Sequence, residues 1–148
     1  MIEIRRMTKE TIGFAAETEA LLFSDPWSAE SLSEELCCPF AKSYVLFEDS
    51  VPCAYGLFRL LAGEGEVLRI GTVPKHRRRG FARALLEHFF KTGREEGLQK
   101  VFLEVRRGNL PARRLYEAMG FRRISLRPRY YRDPVEDAVI YEKIEKEK

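Results

Sequence analysis

Side-chain amides are nearly missing from this 148-residue chain: Asn109 is its one asparagine and Gln99 its one glutamine. These are thermolabile residues, and their depletion fits a chain adapted to high temperature. Long apolar runs are missing too. None approaches the roughly 20 residues that a membrane-crossing helix needs, and Met1 to Glu10 is charged rather than an apolar leader. The chain is therefore expected to stay in the cytoplasm, with no membrane partner. Cysteine is scarce and odd in number. Cys37, Cys38 and Cys53 lack metal-ligand spacing, and adjacent Cys37 and Cys38 are poor disulfide partners, so three reduced, buried or half-buried thiols are expected. His76 and His88 are isolated in the sequence. With no His/Cys/Asp ligand cluster, no metal is expected.

What is present describes one globular domain spanning 1–148. Hydrophobic residues make up 45% and charged residues 33%, which excludes disordered, collagen-like and disulfide-scaffold classes. A chain of this size can bury about 68–70% of its unfolded surface, enough for a real core. The net charge of +3 conceals a split: residues 1–74 hold 6 Lys/Arg against 12 Asp/Glu, and residues 75–148 hold 20 against 11. A basic C-terminal half suits phosphates or nucleic acid, and an acidic N-terminal half suits a cationic partner, although solvated faces account for the split equally well.

Periodicity gives a mixed order of elements. Ile2 to Arg5 alternates like a strand, and a helical stretch opening at Thr8 carries the apolar Ala20, Leu21, Leu22 and Phe23 before Pro26. Ser28 caps a second short helix that stops before Pro39. Strands at 43–47, 54–60 and 66–73 form an antiparallel meander around the polar turn Glu48, Asp49 and Ser50. Helix 80–96 follows, with Ala82, Leu85, Leu86, Phe89 and Phe90 at helical spacing and Gly97 at its end. Strand 101–105 comes next, then a helix capped by Asn109 and ended by Gly120. Strand 66–73, helix 80–96 and strand 101–105 form a βαβ unit. Phe121 to Ile124 and Ala138 to Ile144 supply two final strands around an irregular loop rich in Arg, Tyr and Pro.

Three places carry chemistry. Arg77-Arg78-Arg79-Gly80-Phe81-Ala82 precedes the best helix, where open backbone N–H groups and small residues admit a phosphate. It is neither Walker A nor a dinucleotide fingerprint, which disfavours nucleoside triphosphates and nicotinamide cofactors; a plain basic turn remains the alternative. Glu104 sits with Phe102 on one face of a strand whose other face is Val101, Leu103 and Val105. It is either an ordinary half-exposed strand carboxylate or part of a ligand site at the strand's C-terminal end. Tyr116 shares an apolar helix face with Ala112, Leu115 and Met119, a place where tyrosine is more often core than catalyst.

Together, Arg77 to Ala82, Leu103-Glu104-Val105-Arg106, Asn109 and Leu115 to Phe121 resemble the GCN5-related N-acetyltransferases over most of the chain. A narrower resemblance, to the bacterial ribosomal-protein alanine N-acetyltransferases (RimI type), lies in Pro26-Trp27-Ser28, Glu66 to Ile70, Tyr130-Tyr131 and Pro134 to Val139. Gly71-Thr72-Val73-Pro74 stands where relatives often have Ala-Val-Asp-Pro. The resemblance implies an α/β (mixed α+β) fold: a mostly antiparallel twisted sheet, flanking helices and a βαβ acetyl-CoA unit. It implies Glu104 as general base and Tyr116 as general acid. It also implies acetyl-CoA contacts at Ile70, Gly71, Thr72, Arg77, Arg78, Arg79, Gly80, Phe81, Ala82 and Asn109.

The chemistry is coherent at those positions. An α-amine, with an ordinary pKa of about 7.7–8.0, is far easier to deprotonate than a lysine at about 10.4. A half-buried Glu104 would be tuned upward as a base, and a protonated Tyr116 would donate to the departing sulfur. By resemblance the amine substrate is the N-terminal alanine of a ribosomal protein, the eighteenth of the small subunit. It is expected to enter over helix 28–38 past an aromatic rim of Trp27, Tyr130 and Tyr131. Acidic Glu30, Glu34, Glu35, Glu136 and Asp137 would attract a basic peptide. Two alternatives stay open: the same fold acting on another N-terminus or small amine, and a non-enzyme module that senses acyl-CoA or binds nucleic acid or the ribosome through Arg77, Arg106, Arg113, Arg122, Arg127 and Arg129.

Overall fold

A computed structural model describes residues 1–145. Its sheet has seven strands in the order β1-β2-β3-β4-β5-β7-β6: β1 (Ile2–Arg6), β2 (Tyr44–Glu48), β3 (Val51–Leu61), β4 (Glu64–Thr72), β5 (Lys100–Arg106), β6 (Arg122–Tyr131) and β7 (Glu136–Ile144). Only β4 and β5 pair in parallel. The helices are α1 (Ile12–Leu22), α2 (Ala29–Leu36), α3 (Phe81–Glu95) and α4 (Leu110–Ala118), with a 3-10 turn at Pro74–His76. The mixed, mostly antiparallel α/β architecture and its βαβ unit, β4-α3-β5, match the expectation.

Both faces of the central strands are covered, so β2 and β3 read as nearly continuous apolar runs. Tyr44, Leu46, Ala54 and Phe58 join one core with Leu85, Leu86 and Phe89 of α3. Val45, Phe47, Tyr55 and Leu57 join another with Ile12, Ala15 and Leu32. Phe58 stacks on Phe89 at 4.5 Å between ring centroids. Burying each such side chain contributes about 1.5–3 kcal/mol, which makes α3 a rigid mount for whatever its N-terminus holds.

Local chemistry sets the element ends. Ser28 Oγ accepts the Ser31 N–H at 3.0 Å while Ser31 Oγ accepts the Ser28 N–H at 2.9 Å, a reciprocal cap that starts α2. Asn109 Oδ1 accepts the Ala112 N–H at 3.3 Å and starts α4. Asp49 and Ser50, both at positive φ, make the tight β2–β3 hairpin.

Several expectations need correction. The first helix begins at Ile12, because Thr8 and Thr11 close a turn instead: the Thr11 N–H and hydroxyl both donate to the Thr8 carbonyl. Its buried side is Ala15, Thr18 and Glu19, while Leu21 is exposed. Cys37 is exposed, not buried. The supposed irregular loop after Ile124 is mostly strand, since β6 runs to Tyr131 and pairs with β7 as far as Tyr131↔Glu136, with two register shifts. An edge strand needs hydrogen bonds on one side only, so Pro128 and the arginines do not veto it.

Candidate active site

The parallel pairing of β4 with β5 runs only from Glu64↔Lys100 to Val67↔Leu103. Beyond that point β4 follows β3 to Ala54↔Thr72, and β5 follows β7 to Arg106↔Ala138. The sheet therefore splits. A register shift between Leu57 and Phe58 leaves Leu68 unpaired across from β3 at the point of parting, and a bulge of this kind bends and twists its strand. From Leu68 to Thr72 the β5-facing backbone edge has no strand partner among the described residues.

A cavity of about 650 Å³ fills the opening. Ile70, Glu104, Asn109, Tyr116, Trp27, Tyr130 and Tyr131 all line it, so residues chosen from distant parts of the sequence converge. Gly71, Thr72 and Arg77 to Ala82 are not in its lining. The near wall is Phe23, Asp25 and Trp27 of the α1–α2 loop rather than α2 itself, which corrects the expected entry over helix 28–38.

Glu104 points into this space from β5, one residue past the last parallel pair. Its side chain is about one-third exposed, and its carboxylate lies 3.4 Å from the Arg127 guanidinium of β6. Tyr130 sits on the far side of that carboxylate; hydrogen bonding toward Glu104, then burial, raises its phenol above the usual range. Burial also raises Tyr131, whose ring lies 4.5 Å beneath the Arg106 guanidinium. Across the cavity Tyr116 is 9% exposed, and burial pushes its phenol up to about 12. A tyrosine so held stays a proton donor through the neutral range.

The start of α3 builds a second feature. Gly80 is the N-cap at φ +79 and offers no side-chain cap, so the first amides of the helix are open and carry the positive end of the helix dipole. Arg77 and Arg78 are exposed and make no ion pair among the described residues. Arg79 is committed: it forks onto the Glu48 carboxylate and lies 4.9 Å over the Phe81 ring. Gly71 is buried, with Tyr55 packed directly against its Cα face. Thr72 is half-buried and pairs with Ala54.

Sequence reasoning missed the residues that hold the cavity walls. Glu19, fully buried, accepts the Trp27 N–H at 2.9 Å, the Tyr55 hydroxyl at 2.5 Å and Arg69 Nε at 3.1 Å. Arg69 in turn donates to the Asp25 carbonyl at 2.7 Å and covers the Phe23 ring at 3.8 Å. Arg106 donates to the carbonyls of Arg132 and Pro134, each at 2.9 Å, tying the β6–β7 turn to β5. No local signal marks Glu19, which shares α1 with a second carboxylate, Glu17.

The acidic rim is mostly otherwise engaged. Glu35 is buried and gripped by Arg59 at 2.6 and 2.9 Å; Glu136 accepts the Gly108 N–H at 2.7 Å and faces Arg106; Asp137 faces Arg107 and the Arg129 N–H. Glu30 and Glu34 remain exposed on α2. Arg106 and Arg113 are likewise spent internally, the latter on the Tyr141 hydroxyl and the Arg107 carbonyl, which thins the proposed nucleic-acid face. The absence of a ligand cluster is also corrected: Glu48, Cys53 and His76 bring their ligand atoms within 4.8 Å of one another, because the β2–β3 hairpin and the β4–α3 turn meet there. No helix among the described residues is long and apolar enough to cross a membrane.

A split mixed sheet with an uncapped helix start beside its cleft is the arrangement of an acyl-CoA-using transferase. The chain belongs to the acetyltransferase (GNAT) family, whose model matches residues 13–121, and is an acetyl-CoA-dependent N-acetyltransferase. It is 35% identical over 143 residues to the N-alpha-acetyltransferase RimI of Mycobacterium tuberculosis, covering 93% of this chain and 89% of that one. It is 31% identical over 117 residues to the ribosomal protein bS18-alanine N-acetyltransferase of Escherichia coli, covering 78% of each. The crystal structure of the ribosomal-protein-S18-alanine N-acetyltransferase from Escherichia coli superposes with a TM-score of 0.92 at 27% identity, over 100% of this chain and 96% of that one.

Proposed function

We propose that this enzyme acetylates the N-terminal α-amine of a protein in the cytoplasm, with the eighteenth small-subunit ribosomal protein as its substrate. The observation that carries the reading is the convergence of Glu104, Tyr116 and an aromatic rim on one cavity where β4 and β5 part. The relatives named for bS18 support the substrate.

The residues suit acetyl-CoA, which when bound supplies a thioester acetyl group. The open β4 edge through Ile70, Gly71 and Thr72 offers amide partners to an extended, amide-bearing arm. The first turn of α3, Gly80, Phe81 and Ala82, offers N–H groups to a pyrophosphate, with Arg77 and Arg78 adding charge and Arg79 bracing the loop through Glu48. Asn109 borders the same cavity at the start of α4.

Glu104 takes the ammonium proton, directly or through one water, as the α-amine becomes the nucleophile. Trp27, Tyr130 and Tyr131 fix the peptide's first residues, and Tyr116 Oη gives its proton to the leaving sulfur. Orientation of two substrates in line can account for about 7–11 kcal/mol of barrier lowering. The test is acetylation of a short peptide beginning with alanine, against its N-blocked form carrying an added lysine, with the product located by mass spectrometry. Transfer to the free α-amine alone supports the reading; transfer to the lysine, or to neither peptide, overturns it.

A further inference from the structure

Glu48, Cys53 and His76 take no part in the acetyl-transfer cavity, yet they meet on the other side of the β4–α3 loop. Glu48 ends β2, Cys53 lies in β3 just beyond the hairpin, and His76 closes the 3-10 turn. The Val73 N–H donates to the Cys53 carbonyl at 2.9 Å and the His76 N–H to the Val73 carbonyl at 2.8 Å, so backbone bonds hold the three segments in register. One carboxylate oxygen, one sulfur and one imidazole nitrogen lie within 4.8 Å of one another. Ligands around a tetrahedral ion with bonds of about 2.0–2.3 Å stand somewhat closer than this, so the half-buried Glu48 and His76 side chains have to turn inward to close the set.

We propose that Glu48, Cys53 and His76 form a site for a thiophilic divalent cation of the Zn2+ class. The donor set decides the ion. A thiolate and an imidazole favour zinc over the oxygen-seeking magnesium and calcium, and three protein ligands leave a fourth position for water. Binding forms a metal–sulfur bond and releases the Cys53 thiol proton to solvent. Glu48 now holds the Arg79 guanidinium, and Cys53 Sγ donates to the Val51 carbonyl at 3.3 Å. The ion therefore replaces Arg79 as the cationic partner of Glu48, which makes Arg79 its competitor. Burial favours the site as well: Cys53 is shielded from solvent, unlike the exposed Cys37, so bound metal is protected from exchange at the sulfur.

The test is a Co2+ titration of the reduced, full-length protein, read by the thiolate-to-cobalt charge-transfer band and by calorimetric stoichiometry. One equivalent with a thiolate band is expected. The band should vanish in Cys53→Ala, and the affinity should fall about tenfold or more in His76→Ala, a change outside the hydrophobic core that decides the matter if Cys53→Ala fails to fold. Arg79→Ala should bind Co2+ several-fold more tightly, because Glu48 loses its competing partner. Zn2+ should displace the Co2+ and erase the band. A band that survives Cys53→Ala but disappears in Cys37→Ser/Cys38→Ser assigns the metal to the exposed pair and overturns the proposal. So does binding without a thiolate band, no binding, or an Arg79→Ala affinity equal to wild type. None of these readouts depends on which amine the enzyme acetylates.

Discussion

Glu19 reaches from the last turn of α1 to the backbone N–H of Trp27, eight residues on, at 2.9 Å, and so fixes the cavity's near wall from inside the core. The same carboxylate holds the Tyr55 hydroxyl and the Arg69 guanidinium. One buried charge thereby couples α1, β3, β4 and the loop that borders the peptide's entrance.

Removing that charge should loosen all four at once. Glu19→Ala leaves Arg69, itself 16% exposed at the side chain, without its buried partner, and breaking such a pair costs about 3–5 kcal/mol. Glu19→Gln keeps an acceptor for Trp27 and Tyr55 and should cost less. Chemical denaturation measures the two losses. Peptide KM should rise in the surviving enzyme more than acetyl-CoA KM, because the disturbed wall faces the peptide.

Tyr116 offers a test that separates burial from catalysis. Its folded phenol sits at about 12 against roughly 10 in an unfolded chain. The folded state therefore favours the protonated form. The stabilisation is complete below pH of about 10 and is lost as pH rises toward about 12, amounting to roughly 2–3 kcal/mol across that window. Tyr55 and Tyr131 are raised in the same direction, so the wild-type curve contains several contributions. The difference between wild type and Tyr116→Phe in urea unfolding isolates this one: because burial raises the phenol by penalising its ionised form, the gap between the two stability curves should stay constant below pH of about 10 and move against wild type as pH rises toward about 12. At neutral pH the same variant should lose activity by about a hundredfold or more, the scale of general acid catalysis.

Two glycines near the cofactor loop should fail for different reasons. A Cβ on Gly80 meets nothing within 4 Å, but its φ of +79 is left-handed, a conformation that costs an ordinary residue roughly 1–2 kcal/mol. Gly80→Ala should therefore remain folded and raise the KM for acetyl-CoA. A Cβ on Gly71 runs into the Tyr55 ring, which is anchored by Glu19. Gly71→Ala should lower the melting temperature instead, and thermal scans beside acetyl-CoA kinetics will tell the two apart.

The contrast between those glycines also shows what the sequence carried. The turn before α3 was legible because Gly80 and three arginines precede an amphipathic run, and local chemistry acts over a few residues. The strand face of Glu104 was legible from period 2. Glu19 was not, since its partners lie 8, 36 and 50 residues away and nothing local marks a buried carboxylate. The same holds for Glu35 and Glu136, which looked like a solvent-facing acidic rim until β3 and β5 brought Arg59 and Arg106 against them. β6 was misread for a related reason: the edge position that excuses Pro128 and its arginines is a property of the sheet.

Glu104 gives the sharpest separation of chemistry from stability. Its side chain is 33% exposed and its partner Arg127 is 59% exposed, so their ion pair contributes about 0–1 kcal/mol. Neither Glu104→Gln nor Arg127→Ala should move the unfolding midpoint appreciably. Their kinetics should differ sharply. Glu104→Gln keeps the shape of the side chain but cannot take the ammonium proton, and kcat should fall by about 10²–10⁴, the usual worth of a positioned base. Arg127→Ala removes a competitor for the same carboxylate without touching the proton path, so kcat should stay within a few-fold of wild type and its dependence on salt should weaken. Steady-state kinetics at two ionic strengths, beside the unfolding curves, measures both. Equal losses in the two variants would make the pair a structural clasp; a loss confined to Glu104→Gln makes the carboxylate the base.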